Sequence, residues 1–419
     1  MLRAWLVHPD IADRSAARDP AAALEEARAL AAALPGIALA GAEVQPVARP
    51  RPGTLFGPGQ LARLGETFQA QDIGLVLIDG PVTPVQQRNL EREWGVKILD
   101  RTGLILEIFA DRAATREGAL QVELAALSYQ KTRLVRSWTH LERQRGGLGF
   151  VGGPGETQIE ADRRALDTAI TRLRRRLDKV VRTRGLHRAA RAKVPFPVVA
   201  LVGYTNAGKS TLFNRLTGAT VRAEDMLFAT LDPTMRGVAL PGGPKVILSD
   251  TVGFISDLPT LLVAAFRATL EEVRAADLIL HVRDIAHPET ARQAADVEAI
   301  LADLAPAGPG GIPRIEVWNK IDLLAHEDRQ AAETRAARDA GVAAISAETG
   351  AGVAALTRQI ADALGGARRR EVLQLDVADG RRRAWLYDHG VVEAEARAGE
   401  MLELAVHWDA TQAARWRAL

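Results

Sequence analysis

Gly203-Tyr204-Thr205-Asn206-Ala207-Gly208-Lys209-Ser210 follows the apolar run Val198-Val199-Ala200-Leu201-Val202 and precedes Thr211-Leu212-Phe213-Asn214-Arg215-Leu216. The order is strand, glycine-rich loop, helix, which is the setting a phosphate-binding loop requires. Glycines let the backbone close around phosphates, so that N–H groups and the helix N-terminus face anionic oxygens. In that geometry Lys209 reaches the β- and γ-phosphates, and the Ser210 hydroxyl ligates Mg²⁺. A chance strand-to-helix turn is the competing reading, and the eight-residue spacing with both flanking elements argues against it.

Downstream of this loop the chain has the order of a nucleotide switch. Phe228-Ala229-Thr230-Leu231-Asp232-Pro233-Thr234 stands where a switch loop comes after the first helix. A loop threonine there, Thr230 or Thr234, is expected to sense Mg²⁺ and the γ-phosphate. Val246-Ile247-Leu248-Ser249 is a strand leading into Asp250-Thr251-Val252-Gly253. Asp250 is expected to stand behind the metal, and the Gly253 N–H to meet the γ-phosphate. Asp-x-x-Gly alone is a common turn; its distance from the phosphate loop makes it informative.

The base-reading elements come later. Ile315-Glu316-Val317-Trp318 is a strand followed by Asn319-Lys320-Ile321-Asp322, and Ala343-Ala344-Ile345 leads into Ser346-Ala347-Glu348. A carboxylate at Asp322 can accept from the N1–H and 2-amino group of guanine, which adenine does not offer in that arrangement. Lys320 is expected along the base plane, Asn319 as a tie to the phosphate loop, and the Ala347 N–H at guanine O6. Four elements in this order specify a GTPase. One position is informative by its chemistry: after Asp-Thr-Val-Gly, a Ras-like protein has a water-positioning glutamine, and here stands Phe254. Phenylalanine cannot orient water, so slow intrinsic hydrolysis is expected, accelerated when a partner orders the switches or supplies a group. Another residue, or the substrate itself, doing the task unaided is the alternative.

The remainder bounds the setting. The 419 residues allow two to four domains. There is no cysteine, which excludes disulfides, thiolate metal sites and a cysteine nucleophile. No apolar run approaches the roughly 18 residues of a membrane span, and the N-terminus has no signal-peptide pattern. A cytoplasmic protein is expected, with peripheral membrane association of a basic surface left open. Net charge is only +2, yet residues 158–193 hold twelve Lys and Arg against four Asp and Glu. A segment this basic points to an anionic partner, with a solvated helix face as the plainer reading.

Residues 1–110 alternate strands and helices, which implies a small open α/β domain. Trp5–Val7, Ile37–Val47, Ile73–Ile78 and Lys97–Leu99 read as strands; Ala21–Leu34, Gln60–Ala70 and a helix from Pro84 to Trp94, capped by Thr83, read as helices. Gly57-Pro58-Gly59 reads as a turn. Residues 111–194 differ. Leu120, Leu124, Leu127, Lys131, Leu134, Trp138 and Leu141 repeat every four and three residues, with Lys131 the one break, and Leu166, Ile170, Leu173, Leu177 and Val180 do the same. Two such helices read as an antiparallel hairpin with a glycine-rich tip at 144–157. That tip is longer than a reversal needs and is expected to dock into something. Residues 195–366 form the GTPase domain, and 367–419 a small α+β domain with strands at Val372–Val377 and Met401–His407 and a helix near Arg381–Tyr387. The fold class is therefore α/β: a central Ras-like domain preceded by an α/β domain and a helical hairpin.

These motifs carry a resemblance. Asp100-Arg101-Thr102-Gly103-Leu104-Ile105-Leu106, Arg116-Glu117-Gly118-Ala119-Leu120-Gln121-Val122-Glu123-Leu124-Ala125, Gly153-Pro154-Gly155-Glu156-Thr157-Gln158, the phosphate loop and Phe228–Thr234 together are similar to the HflX family of the Obg–HflX group of GTPases. The resemblance implies GTP or GDP as nucleotide, Mg²⁺ held by Ser210 and Thr230, and catalytic roles for Lys209, Thr230 and Gly253. It also implies binding to the large ribosomal subunit, hydrolysis stimulated by it, and splitting or rescue of stalled ribosomes under stress. The hairpin tip would reach toward the peptidyl-transferase region. A monomer without DNA binding is expected. Two departures stand out. Phe150-Val151-Gly152 lacks a basic side chain usual at the tip, and Gln60 stands where a lysine would follow Gly-x-Gly, which weakens the case for a second nucleotide site, an ATPase site, in residues 1–108.

Two other readings remain open on sequence alone. In one, the hairpin is a coiled-coil arm for a protein partner, and binding is insensitive to ribonuclease. In the other, the N-terminal half is an ATP-driven RNA remodeller, whose activity Asp322→Asn would leave unchanged.

Overall fold

The computed structural model describes residues 1–12, 18–144, 154–191, 196–219, 227–228, 234–241, 245–256, 272–304, 311–365, 369–399, 401–408 and 410–417. The expected switch residues Ala229, Thr230, Leu231 and Asp232 lie outside these, as does most of the expected hairpin tip.

The first sheet is fully parallel, in the order β2-β1-β3-β4, with β1 Leu2–Ile11, β2 Ile37–Val47, β3 Leu75–Ile78 and β4 Lys97–Asp100. Parallel sheets bury both faces, and adjacent residues of β1 show it. Leu6 joins Leu30, Leu77, Ile105 and Phe109 on one face, while Val7 joins Phe56, Leu64, Phe68 and Leu90 on the other. The covering helices are α1 Pro20–Ala32, α2 Pro58–Ala70, α3 Pro84–Trp94 and α4 Arg101–Arg112. The first strand is much longer than the three residues expected, because β2 supplies a pairing partner along its whole length. Thr83 caps α3 by accepting from the Gln86 N–H, as its position before Pro84 predicts. Gly57-Pro58-Gly59 is the start of α2 rather than a free turn. Gln60 accepts from the Gly57 N–H and donates to the Pro46 carbonyl at 2.6 Å, which gives it a structural use.

Two long helices come next, α5 Arg116–Gln144 and α6 Pro154–Arg191. They lie side by side, and Leu120, Ile170 and Leu173 are buried. The helix therefore claims residues 154–157, which the glycine count places in the tip. Lys131, the break in the apolar repeat, pairs with Asp167 of the facing helix. A stem of four methylenes covers the seam while the ammonium meets a carboxylate at its edge.

The second sheet has the order β10-β9-β8-β5-β7-β6. Its strands are β5 Val198–Gly203, β6 Thr234–Ala239, β7 Lys245–Asp250, β8 Leu278–Asp284, β9 Arg314–Asn319 and β10 Val342–Ala344, all parallel except β6. The helix after β5 is α7, Lys209–Thr217. Thr234 opens β6 directly opposite Asp250 and so belongs to a strand rather than to the preceding loop.

The C-terminal sheet is antiparallel, β11-β13-β12, with β11 Arg369–Asp376, β12 Val392–Ala398 and β13 Met401–Trp408. Val392-Glu393-Ala394-Glu395-Ala396-Arg397-Ala398 is a strand despite a helix-forming composition. Gly399, at φ +68°, turns the chain back and pairs it with β13. Trp408, fully buried, centres this small core.

One apolar cluster is shared between the first and second sheets. Leu104, Ile105 and Ile108 of α4 belong to it together with Tyr204, Val252, Phe254 and Ile255. Phe109 meets Phe228 edge-on, ring centres 4.7 Å apart. The phosphate loop and the residues after Gly253 therefore rest on the first domain.

Candidate nucleotide site

The site lies at the C-terminal ends of β5, β7 and β9, where open parallel sheets place their ligands. Two glycines are required by close approach. A Cβ on Gly203 would stand 2.1 Å from the Val282 carbonyl oxygen, and one on Gly208 (φ +88°) would stand 2.1 Å from Asn319 Nδ2. α7 begins at Lys209, so its free N–H groups open onto the loop. Asn206 holds the left-handed conformation at φ +58°.

Lys209 is buried and donates to the Tyr204 carbonyl at 2.7 Å. Burial pushes its ammonium down to about 8; Asp250 pulls it up and Lys320 pushes it down further. A cation held in so dry a place is poised for an anionic ligand. The Ser210 hydroxyl donates to Asp250 Oδ2 at 2.7 Å. A hydroxyl beside a fully buried carboxylate, next to a phosphate loop, is a hard-oxygen donor set that fits Mg²⁺ shared with phosphate oxygens. Among the described residues no group of three or more His, Cys, Asp or Glu could hold a metal by itself.

Residues beyond Gly253 are strapped to the phosphate loop. Phe254 N–H donates to the Gly203 carbonyl at 3.1 Å, and its carbonyl accepts from Thr205 N–H at 2.7 Å. The Phe254 ring is buried in the shared apolar cluster. Thr251 fixes the start of this segment by donating to the Leu201 carbonyl.

Asn319 closes β9 and joins two loops. Its Nδ2 donates to the Ala207 carbonyl at 2.8 Å and its Oδ1 accepts from Ala347 N–H at 2.8 Å. The Ala347 N–H, expected at guanine O6, is here directed at Asn319 Oδ1. Lys320, at φ +67°, pairs with Asp284 at 2.8 Å. Sequence reasoning misses Asp284; as the acid that closes the apolar run Leu278–Val282, it was the available signal. Ile321 is buried beneath the loop. Asp322 Oδ1 is buried without a hydrogen-bond partner, an acceptor poised for a donor such as the guanine edge. Ser346 is fully buried, and its Oγ accepts from Thr349 N–H at 3.0 Å. Arg215, equally silent in the sequence, donates to the carbonyls of both Ala347 and Glu348.

Tyr204 reaches toward α1 of the first domain. Its hydroxyl donates to Glu26 of α1 and accepts from Ser256 N–H at 2.8 Å. Burial and the Glu26 charge both push this phenol up. Ser256 Oγ donates to Asp296 at 2.6 Å. Burial pushes the Glu26 carboxyl up, but the Arg18 hydrogen bond and the Arg101 charge more than offset it and hold it below its ordinary value.

Three family models match. One described as GTP-binding GTPase N-terminal covers 21–110, one described as GTP-binding GTPase Middle Region covers 112–191, and one described as 50S ribosome-binding GTPase covers 198–320. The chain is 52% identical over 349 residues to GTPase HflX of Magnetococcus marinus, spanning 83% of this chain and 79% of that one. It is 47% identical over 350 residues to GTPase HflX of Escherichia coli, spanning 83% and 80%. Among solved structures, a GTP-binding protein of Sulfolobus solfataricus in complex with GDP is 23% identical, with 87% of this chain and 99% of that one covered and a TM-score of 0.46.

Proposed function

This chain belongs to the HflX family of GTPases and is a GTPase, and from that premise we propose that it binds the large ribosomal subunit through its hairpin and uses the GTP cycle to split or rescue stalled ribosomes under stress. The observation that carries the reading is the outer face of α6. Arg172, Arg174, Arg175, Arg176 and Lys179 are all exposed there, on the helix whose Ile170 and Leu173 are buried. A cationic stripe on a rigid arm suits a phosphate backbone. The tip, most of which lies outside the described residues, would reach toward the peptidyl-transferase region. The expected setting is a cytoplasmic monomer; among the described residues no helix is long and apolar enough to cross a membrane.

In the reaction, Lys209 sets its ammonium against the β- and γ-phosphate oxygens, and the Gly253 N–H meets the γ-phosphate. Ser210 and Thr230 hold Mg²⁺, with Asp250 accepting from Ser210 behind it. Held there, Mg²⁺ would supply positive charge to offset that of the phosphates. Asp322 and the Ala347 N–H read guanine, and Asn319 fixes the distance between base and phosphate loops. Phe254 offers the attacking water nothing, so the subunit must order the switches or lend a group.

Binding tests the reading. Co-sedimentation with purified large subunits and a non-hydrolysable GTP analogue is expected to be lost in the combined R172E, R175E, R176E and K179E variant. Unaltered binding would contradict it, and binding resistant to ribonuclease and salt would favour a protein partner.

A further inference from the structure

We infer that Arg215 is a specificity-determining positioning residue, which sets the loop that reads guanine O6 from the same helix that binds phosphate. The inference rests on the nucleotide reading above and adds a residue to it. Arg215 lies in α7, whose first two residues are Lys209 and Ser210. Its Nε donates to the Ala347 carbonyl and its Nη2 to the Glu348 carbonyl. Two successive carbonyls on one planar guanidinium fix two successive peptide planes, a fork that a lysine cannot reproduce.

The loop also closes on itself. Ser346 N–H donates to the Ala351 carbonyl at 2.9 Å, and Gly350 N–H to the Ser346 carbonyl at 2.8 Å. Gly350 adopts φ +91°, and a Cβ there would stand 2.8 Å from Arg215 Nη1. The guanidinium therefore lies in the concavity of the turn, and the glycine makes room for it. Ala347 is buried, with its N–H aimed at Asn319. Without Arg215 the Ala347 and Glu348 carbonyls lose their shared donor, and the Ala347 N–H loses its fixed direction. Because α7 also presents Lys209, a base loop anchored to it keeps a constant span from the phosphate site.

The test is a ligand series on the full-length protein and its Arg215→Ala variant. The ligands are GDP, inosine diphosphate and 2-aminopurine riboside diphosphate. Inosine keeps O6 and lacks the 2-amino group; 2-aminopurine keeps the amino group and lacks O6. Arg215→Ala is expected to weaken GDP and inosine diphosphate alike, by about tenfold as for a charge-assisted hydrogen bond, and to leave 2-aminopurine riboside diphosphate within about twofold. Arg215→Lys is expected to fall between. Unchanged GDP affinity would overturn the inference. Equal weakening of all three ligands would overturn it too, because it would mean that Arg215 only stabilises the domain. Absence of GDP binding by the unaltered protein would instead overturn the nucleotide reading beneath it.

Discussion

Arg101 Nη2 lies 3.0 Å from the carbonyl oxygen of Ser256. A side chain at the start of α4, in the first domain, therefore holds the chain three residues beyond Gly253. The same guanidinium meets Asp79 at 2.6 Å and Glu26 at 2.5 Å, and all three side chains are buried. Glu26 in turn receives the Tyr204 hydroxyl of the phosphate loop. The next residue back, Asp100, caps α4 through Gly103 N–H and accepts from Tyr129 of α5 at 2.5 Å. Adjacent residues thus anchor the hairpin and the segment after Gly253.

Removing Arg101 takes a shared counter-charge from two buried carboxylates, leaving Glu26 with Arg18 and Asp79 with His8. Arg101→Met is expected to destabilise the protein by about 3–5 kcal/mol. Ser256→Ala keeps the carbonyl and N–H contacts and is expected to cost only about 1 kcal/mol. The pH dependence follows in sign. Burial pushes Asp79 up, but the His8 hydrogen bond and the Arg101 charge hold it below its ordinary value, as Glu26 is held. Such groups stabilise the fold above the ordinary carboxylate range, and that stability is lost as pH falls through their folded values. The variant should lose less stability than the unaltered protein between pH 6 and 3. Urea unfolding at several pH values checks both points.

Lys209 makes nucleotide affinity pH-dependent. Its ammonium titrates at about 8 in the free protein, and a polyphosphate beside it favours the charged form. Binding above that pH therefore takes up a proton, so affinity falls as pH rises. GDP affinity should drop about fivefold between pH 8 and 9. Calorimetry in two buffers of different ionisation enthalpy reads the uptake directly; a flat profile without uptake would refute it.

Gly253 has no room for a side chain. A Cβ would stand 2.8 Å from Thr205 Cα and 2.9 Å from Lys209 Nζ. Gly253→Ala must push this segment away from the phosphate loop. GTP turnover should fall about a hundredfold, the usual effect of losing one aligned donor, while GDP affinity changes only a few-fold. Single-turnover hydrolysis beside GDP titration separates the two.

Asp322 presents a buried acceptor with nothing bonded to it. Asp322→Asn replaces that acceptor with an amide donor aimed at guanine's own donors. GDP affinity should fall about a hundredfold or more, and xanthosine diphosphate, whose O2 accepts, should bind better than GDP. Competition titration shows whether the preference inverts.

The parts legible in the sequence are those set by short-range rules. The strand–loop–helix around Lys209, the cap at Thr83 and the two-helix repeat each depend on neighbours a few residues away. Asp322 and Asn319 are legible as chemistry as well as position. The parts that escape depend on distant pairing. Val392–Ala398 becomes a strand only because β13 lies beside it. Arg215 and Asp284 acquire partners from loops far along the chain, and Arg101 stands in a motif that gives no hint of its role. Tyr204 reads as a phosphate-loop residue; its hydroxyl is committed to Glu26, an acid 178 positions away.

Dependence of this GTPase on the large ribosomal subunit can be read directly. The measurement is GTP turnover with and without purified large subunits, at low and high salt. Slow turnover is expected of the protein alone, because Phe254 cannot position water, and a large stimulation by subunits that collapses at high salt, because contact runs through the basic face of α6. Fast turnover by the protein alone, or slow turnover that subunits leave unchanged, would contradict it.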